Sequence, residues 1–135
     1  MISAKGFLAV AACVAGAVAV PAIGQAGRLA MLDTLEPGSW ALRLRGAGSG
    51  EDRVCVRSGR ELIQLRHPGE DCRQVVVADR PGEVTVQYTC PGRGYGRTTI
   101  RRETDGLIQL DSQGIRAGHP FAFAAEGRRV GACAP

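Results

Sequence analysis

Four cysteines that follow a hydrophobic leader constrain this chain more than any other feature. They are Cys55, Cys72, Cys90 and Cys133, spread over the part of the chain after the leader. An even number of cysteines in a small exported protein is typical of disulfides, which form and persist in oxidising compartments. We therefore expect two disulfides and a small fold that they reinforce.

Residues 1–24 predict a secretory signal peptide. Lys5 supplies the positive charge of its first region, residues 6–20 are apolar, and the small residues at Gly24 and Ala26 suit a signal peptidase. We expect cleavage after one of these two residues.

Two alternatives for the leader stay open. Residues 6–24 are near the length that crosses a bilayer, so an uncleaved leader would serve as an N-terminal membrane anchor. The residues before Cys13 loosely fit a lipoprotein signal, but the apolar run continues beyond that cysteine. The simpler interpretation is that Cys13 is lost with the signal peptide.

The chain after the leader has the size and composition of one globular domain, which we place at residues 35–135. About 110 residues can bury a core of their own. The whole chain after the leader carries 16 arginines, 13 acidic residues and no lysine, with the two charge signs interspersed. A nucleic-acid binder needs clustered cations and stacking aromatics, so we expect no nucleic-acid partner.

Alternation of apolar and polar residues predicts β-strands with one buried face. The clearest run places Val84, Val86, Tyr88 and Cys90 on one side, and Trp40 is expected to anchor the core from another strand. Similar runs, separated by glycine and proline turns, lie at residues 40–44, 53–57, 74–78, 98–103, 107–112 and 121–125. About seven short strands predict a mainly β antiparallel meander, either a curved sheet, a small sandwich or a partly closed barrel.

One short α-helix is expected near residues 59–66. Ser58 and Glu61 have the spacing of a capping box, in which each residue bonds to the backbone amide of the other. Pro68 and Gly69 end the helix, because proline cannot continue it and glycine suits the exit.

Four cysteines allow three pairings. We predict a Cys55–Cys72 disulfide, which would enclose the short helix, and a Cys90–Cys133 disulfide, which would tie a central strand to the C-terminus. A zinc site is the alternative, but the cysteines form no C-x-x-C pair and have no suitably spaced histidine.

No motif in the chain predicts catalysis, a cofactor or a metal site. Residues 92–96 contain G-x-G without the third glycine of a dinucleotide fingerprint, so we interpret them as a turn. His67 and His119 accompany no nucleophile motif, and we expect surface or capping roles for both. The acidic pairs Glu51-Asp52 and Glu70-Asp71 are interpreted as solvated loop residues.

Short motifs in a fixed order resemble a known bacterial family. Pro37–Trp40 reads P-G-x-W, the four cysteines follow, and Arg129–Cys133 reads R-x-G-x-C. This arrangement, over residues 35–133, resembles the bacterial domain of unknown function family 3617, whose members are small exported proteins. Residues 60–67 look like an insert found in an alphaproteobacterial variant. The family has no assigned activity, cofactor or catalytic residue, so the resemblance implies export and a disulfide framework alone.

These observations favour a monomeric, non-enzymatic binding or interaction module in the periplasm of a Gram-negative bacterium, or secreted from it, with an unknown envelope protein or ligand as its partner. Three alternatives stay open. The loop with Arg93 and Tyr95 could make the protein an inhibitor or chaperone-like partner of a secreted enzyme. A void lined by aromatic residues could carry a small hydrophobic ligand. His67 or His119 could serve a small hydrolase.

Overall fold

A computed structural model describes residues 27–46 and 50–135 of the chain. The predicted signal peptide, its anchor alternative and Cys13 lie outside these residues. A short α-helix, α1 (Ala30–Asp33), precedes the first strand. The strands are β1 (Gly38–Arg45), β2 (Glu51–Val56), β3 (Arg73–Asp79), β4 (Glu83–Cys90), β5 (Gly94–Thr104), β6 (Leu107–Arg116) and β7 (His119–Gly131).

The strands form one antiparallel sheet with the order β2-β1-β7-β6-β5-β4-β3. Strands β3 to β7 are consecutive hairpins, whereas β1 pairs with β7 and carries β2 on its other side. The edges are therefore β2 and β3, and the sheet does not close into a barrel. The structure confirms the predicted antiparallel meander, which forms a single open sheet.

Residues 57–72, here called the crossover, connect the two edge strands by passing over one face of the sheet. The predicted α-helix is present there as a 3₁₀ turn, Arg60–Leu62, followed by further turns. In an α-helix, the His67 amide would donate to the Ile63 carbonyl. Instead the Thr98 hydroxyl donates to that carbonyl at 2.6 Å, and the His67 amide donates to Gln64 at 2.8 Å.

Of the two hydrogen bonds of the predicted capping box, one is present. The Glu61 carboxylate accepts from the Ser58 backbone amide at 3.2 Å, but the Ser58 hydroxyl contacts the same carboxylate and no backbone amide. The N-cap is Gly59, whose φ of 77° favours glycine. A side chain at Gly59 would also approach the Cβ of Leu32 to 2.9 Å, so the crossover lies directly against the N-terminal segment.

The core lies between one face of the sheet and two covering segments, the crossover and residues 27–36. Trp40 and Tyr88 are fully buried, which confirms the expected role of Trp40, and the Trp40 indole donates to the Glu36 carbonyl at 2.9 Å. The covering segments contribute buried apolar side chains: Leu29, Met31, Leu32, Leu35, Leu62 and Ile63. The core thus includes residues that precede the predicted domain start at residue 35.

The predicted disulfide pairing is wrong. The disulfides are Cys55–Cys133 and Cys72–Cys90. Strand pairing explains both. Cys72 immediately precedes Arg73, whose partner on β4 is Thr89, so Cys72 lies beside Cys90. Cys55 is on the edge strand next to β1, and the chain that leaves β7 on the other side of β1 brings Cys133 to it, with 5.4 Å between the two Cα atoms.

Replacing Thr98 by valine should lower the free energy of unfolding by about 2 kcal/mol, because the isosteric side chain leaves the buried Ile63 carbonyl without its donor. Thr98 also contacts the Ser112 hydroxyl at 2.8 Å. Urea unfolding measures the change. Thr85→Val is the matched control, since within the described part of the chain the Thr85 hydroxyl bonds only to the hydroxyl of Thr99, and we expect a cost below 1 kcal/mol. Equal costs for the two variants would contradict the assignment.

Candidate ligand-binding cleft

A cavity of about 580 Å³ lies between the crossover and strands β1, β2 and β7. We call it the apolar cleft. Its apolar wall is formed by five side chains: Leu42, Leu44, Val54, Leu65 and Phe123. The strand residues among them occupy inward-facing positions, where β-alternation directs side chains toward the covered face. Leu42 is buried, and the other four are half-buried, so they pack on the core and still present apolar surface to the cleft.

Charged side chains surround the entrance to the apolar cleft. Asp52, expected in a loop, is on β2 and exposed. Arg60 pairs with Asp33 at 2.7 Å, and this hydrogen bond lowers the pKa of the Asp33 carboxyl. Burial acts to raise the pKa of Glu61, but hydrogen bonds from backbone amides outweigh it and leave that pKa below its usual value. The rim therefore mixes both charge signs.

Arg66 connects the charged rim with the apolar wall. Its guanidinium carbon lies 4.4 Å from the centroid of the Phe123 ring, within the range of a cation–π contact. Burial raises the pKa of the Tyr88 hydroxyl, and the positive charge of Arg66 opposes that rise. The contact with the Phe123 ring therefore fixes Arg66 against the sheet.

A second depression, of about 480 Å³, adjoins the cleft and is rich in cations. We call it the basic pocket. Its charged and titratable lining is Arg66, Arg93, Arg116, His119, Glu70 and the edge of His67, and Phe121 supplies an apolar wall. The rings of Phe121 and Phe123 have centroids 6.4 Å apart, and Arg66 lines both cavities. The two cavities thus share a wall.

His67 is buried, so the prediction of a surface or capping role for it is wrong; only 2% of the residue is exposed. Its Nδ1 lies 3.2 Å from the Tyr88 hydroxyl and its Nε2 lies 3.3 Å from the Arg93 carbonyl. Because a carbonyl can only accept, Nε2 carries a proton, and in the neutral imidazole the Tyr88 hydroxyl donates to Nδ1. Both ring nitrogens are therefore satisfied within the protein. His119 is exposed at the start of β7, as predicted.

Arg93 and Tyr95 do not form a projecting loop. Pairing of β4 with β5 continues to Cys90 and Gly94, so only a tight turn of residues 91–93 separates the strands. Arg93 lines the basic pocket, whereas Tyr95, half exposed, lines a different depression on the outer side of β5. The proposal of an inhibitory loop stays a prediction.

Among residues 27–46 and 50–135, no three His, Cys, Asp or Glu side chains cluster as metal ligands would. Within the same residues, no helix has the length and apolar character to span a bilayer. No protein-family model, curated protein or solved structure matches the chain. The resemblance to the domain of unknown function family 3617 therefore stays a prediction.

Neither cavity was expected from the sequence as a defined site. The apolar cleft combines the consecutive segments β1, β2 and the crossover with β7, which lies far from them along the chain. The available signal was the spacing of two residues between Leu42 and Leu44 and between Phe121 and Phe123, which predicted that each pair faces inward. It could not show that the crossover leaves Leu44, Phe121 and Phe123 partly uncovered.

Proposed function

We propose that this protein is a non-enzymatic binding protein that holds the apolar part of a small ligand in the apolar cleft. The observation that carries the proposal is a cavity of about 580 Å³ with a continuous apolar wall and a charged entrance. Cavities of roughly 300–1,000 Å³ with mainly apolar walls and a few polar groups are typical of small-molecule sites.

The arrangement of the core supports a preformed cleft. Trp40 and Tyr88 in the centre of the fold are fully buried, whereas Leu44, Leu65 and Phe123 at one end are only partly covered. A ligand tail that packed on these three side chains would remove their exposed apolar surface from water, which favours binding at about 25 cal/mol per Å².

Two disulfides are typical of proteins outside the cytoplasm. The finer assignment, the periplasm or secretion from a Gram-negative bacterium, is part of our proposal and rests on the leader sequence and the family resemblance. A protein there would encounter apolar and amphiphilic molecules of the cell envelope.

Replacing Leu44 by glutamine should weaken binding of an apolar fluorescent probe such as 1-anilinonaphthalene-8-sulfonate or N-phenyl-1-naphthylamine by about tenfold, since a polar group would replace a leucine in the wall. Titration of the probe with the full chain gives the dissociation constant. The uncharged naphthylamine isolates the apolar contribution.

Val75→Gln is the matched control, because Val75 is a large apolar residue that is 65% exposed on the edge strand β3 and lines no part of the cleft. We expect unchanged probe affinity for this variant. Equal losses in the two variants, or no binding by the unmodified protein, would contradict the proposed function.

A further inference from the structure

We propose that the basic pocket binds an anionic headgroup, so that the ligand is a single-chain amphiphile with a phosphate or carboxylate at one end. This inference rests on the proposed function of the apolar cleft, which would hold the tail of the same molecule. It assigns a chemical class to the ligand.

The charge of the basic pocket supports an anion. Three guanidinium groups line it, against the single carboxylate of Glu70. Glu70 lies 3.8 Å from Arg93. Among residues 27–46 and 50–135, neither Arg66 nor Arg116 has a carboxylate within 4.0 Å. An incoming anion would therefore meet two guanidinium groups that have no competing carboxylate partner.

The character of these cations supports a phosphate or a carboxylate. A guanidinium group presents a planar fork of donors that matches the oxygens of either anion. Arg66 is already oriented by its contact with the Phe123 ring, so less conformational entropy is lost when it binds.

Several other arginines of the sheet are paired with carboxylates, unlike Arg66 and Arg116. Arg53, Arg101 and Arg128 each lie beside a glutamate, at 3.4, 3.9 and 3.4 Å respectively. Their charges are therefore partly neutralised within the protein. Arg66 and Arg116 combine the lack of a carboxylate within 4.0 Å, among the described residues, with a place in a depression that adjoins an apolar cleft.

The shared wall of the two cavities connects headgroup and tail. Arg66 lines both cavities, and Phe121 of the basic pocket stands next to Phe123 of the apolar cleft. An anion bound to Arg66 and Arg116 would be attached to a chain that passes these rings and enters the apolar cleft. The geometry thus suits one molecule with a charged end and an apolar end.

Three probes separate the contributions: dodecyl phosphate, dodecanol and inorganic phosphate, each added to the full chain and measured by calorimetry and by displacement of N-phenyl-1-naphthylamine. Dodecyl phosphate should bind at least tenfold more tightly than dodecanol. Arg116→Gln should abolish most of that difference and leave the affinity for dodecanol unchanged. Arg116→Lys, which keeps the charge and loses the fork, should retain an intermediate preference.

Arg97→Gln is the control, since Arg97 follows the buried Gly96 on β5 and so points to the opposite face of the sheet. It should leave all three affinities unchanged. Equal affinities for dodecyl phosphate and dodecanol would overturn the headgroup assignment while the proposed function stands. Binding of inorganic phosphate without displacement of the naphthylamine by either amphiphile would overturn both, and would identify a site for a free anion.

Discussion

Replacing both Cys55 and Cys133 by alanine should lower the free energy of unfolding by about 4 kcal/mol. This disulfide joins residues 78 positions apart, and closing so long a loop removes much of the entropy of the unfolded chain. The Cys72–Cys90 disulfide spans 18 positions, so the corresponding double variant should lose about 3 kcal/mol. Removing the bridge that closes the longer loop should therefore have the larger effect, even though Cys90 of the shorter loop is buried in the core.

Urea unfolding of the two double variants measures these costs, and peptide mapping without reduction tests the pairing. The Cys55→Ala/Cys133→Ala variant should keep an intact Cys72–Cys90 bridge. The Cys55→Ala/Cys72→Ala variant is the control, since it breaks both bridges and should be less stable than either matched pair. Equal or greater stability of this crossed variant would contradict the pairing.

Replacing Gly96 by alanine should cost about 3 kcal/mol, because the added methyl group would overlap the ring of Tyr88. A Cβ at position 96 would lie 2.8 Å from Cε1 of that ring and would also meet its Cζ and hydroxyl oxygen. The ring cannot move aside easily. It is fully buried, and its hydroxyl is engaged by His67.

Thermal and urea unfolding measure this effect, and Gly131→Ala is the matched control. Gly131 is also a strand glycine, but a Cβ there would meet no atom within 4 Å. Alanine at position 131 should be neutral or slightly stabilising. Combining Gly96→Ala with Tyr88→Leu should cost less than the sum of the single changes, because the smaller side chain makes room for the methyl group. Additive costs would show that the overlap with Tyr88 is not the cause.

The strands could be predicted because their alternation is a local property. Val84, Val86 and Tyr88 are buried as their period of two requires, and Thr89 between Tyr88 and Cys90 is exposed. Fold class and the buried Trp40 followed from the same pattern. The final strand was harder to delimit, since alternation predicted residues 121–125 alone, whereas β7 runs from His119 to Gly131.

The order of strands in the sheet could not be predicted from local pattern. Closeness along the chain favoured Cys55 with Cys72, whereas β1 brings the first edge strand near the C-terminus. The burial of His67 was missed for a related reason. Its environment is made by Tyr88 and the Arg93 carbonyl, which lie 21 and 26 positions away.

The position of β1 between β2 and β7 also determines when the sheet can be completed during synthesis of the chain. The chain is made from its N-terminus, so the β1–β2 hairpin has no neighbour on its inner edge until residues 119–131 have appeared. Throughout that interval Cys55 is available for oxidation, and Cys72 is the nearest thiol along the chain, while Cys133 is the last to arrive. An early bridge from Cys55 to Cys72 would be non-native, and thiol–disulfide exchange would convert it to the native Cys55–Cys133 bridge once Cys133 has been added.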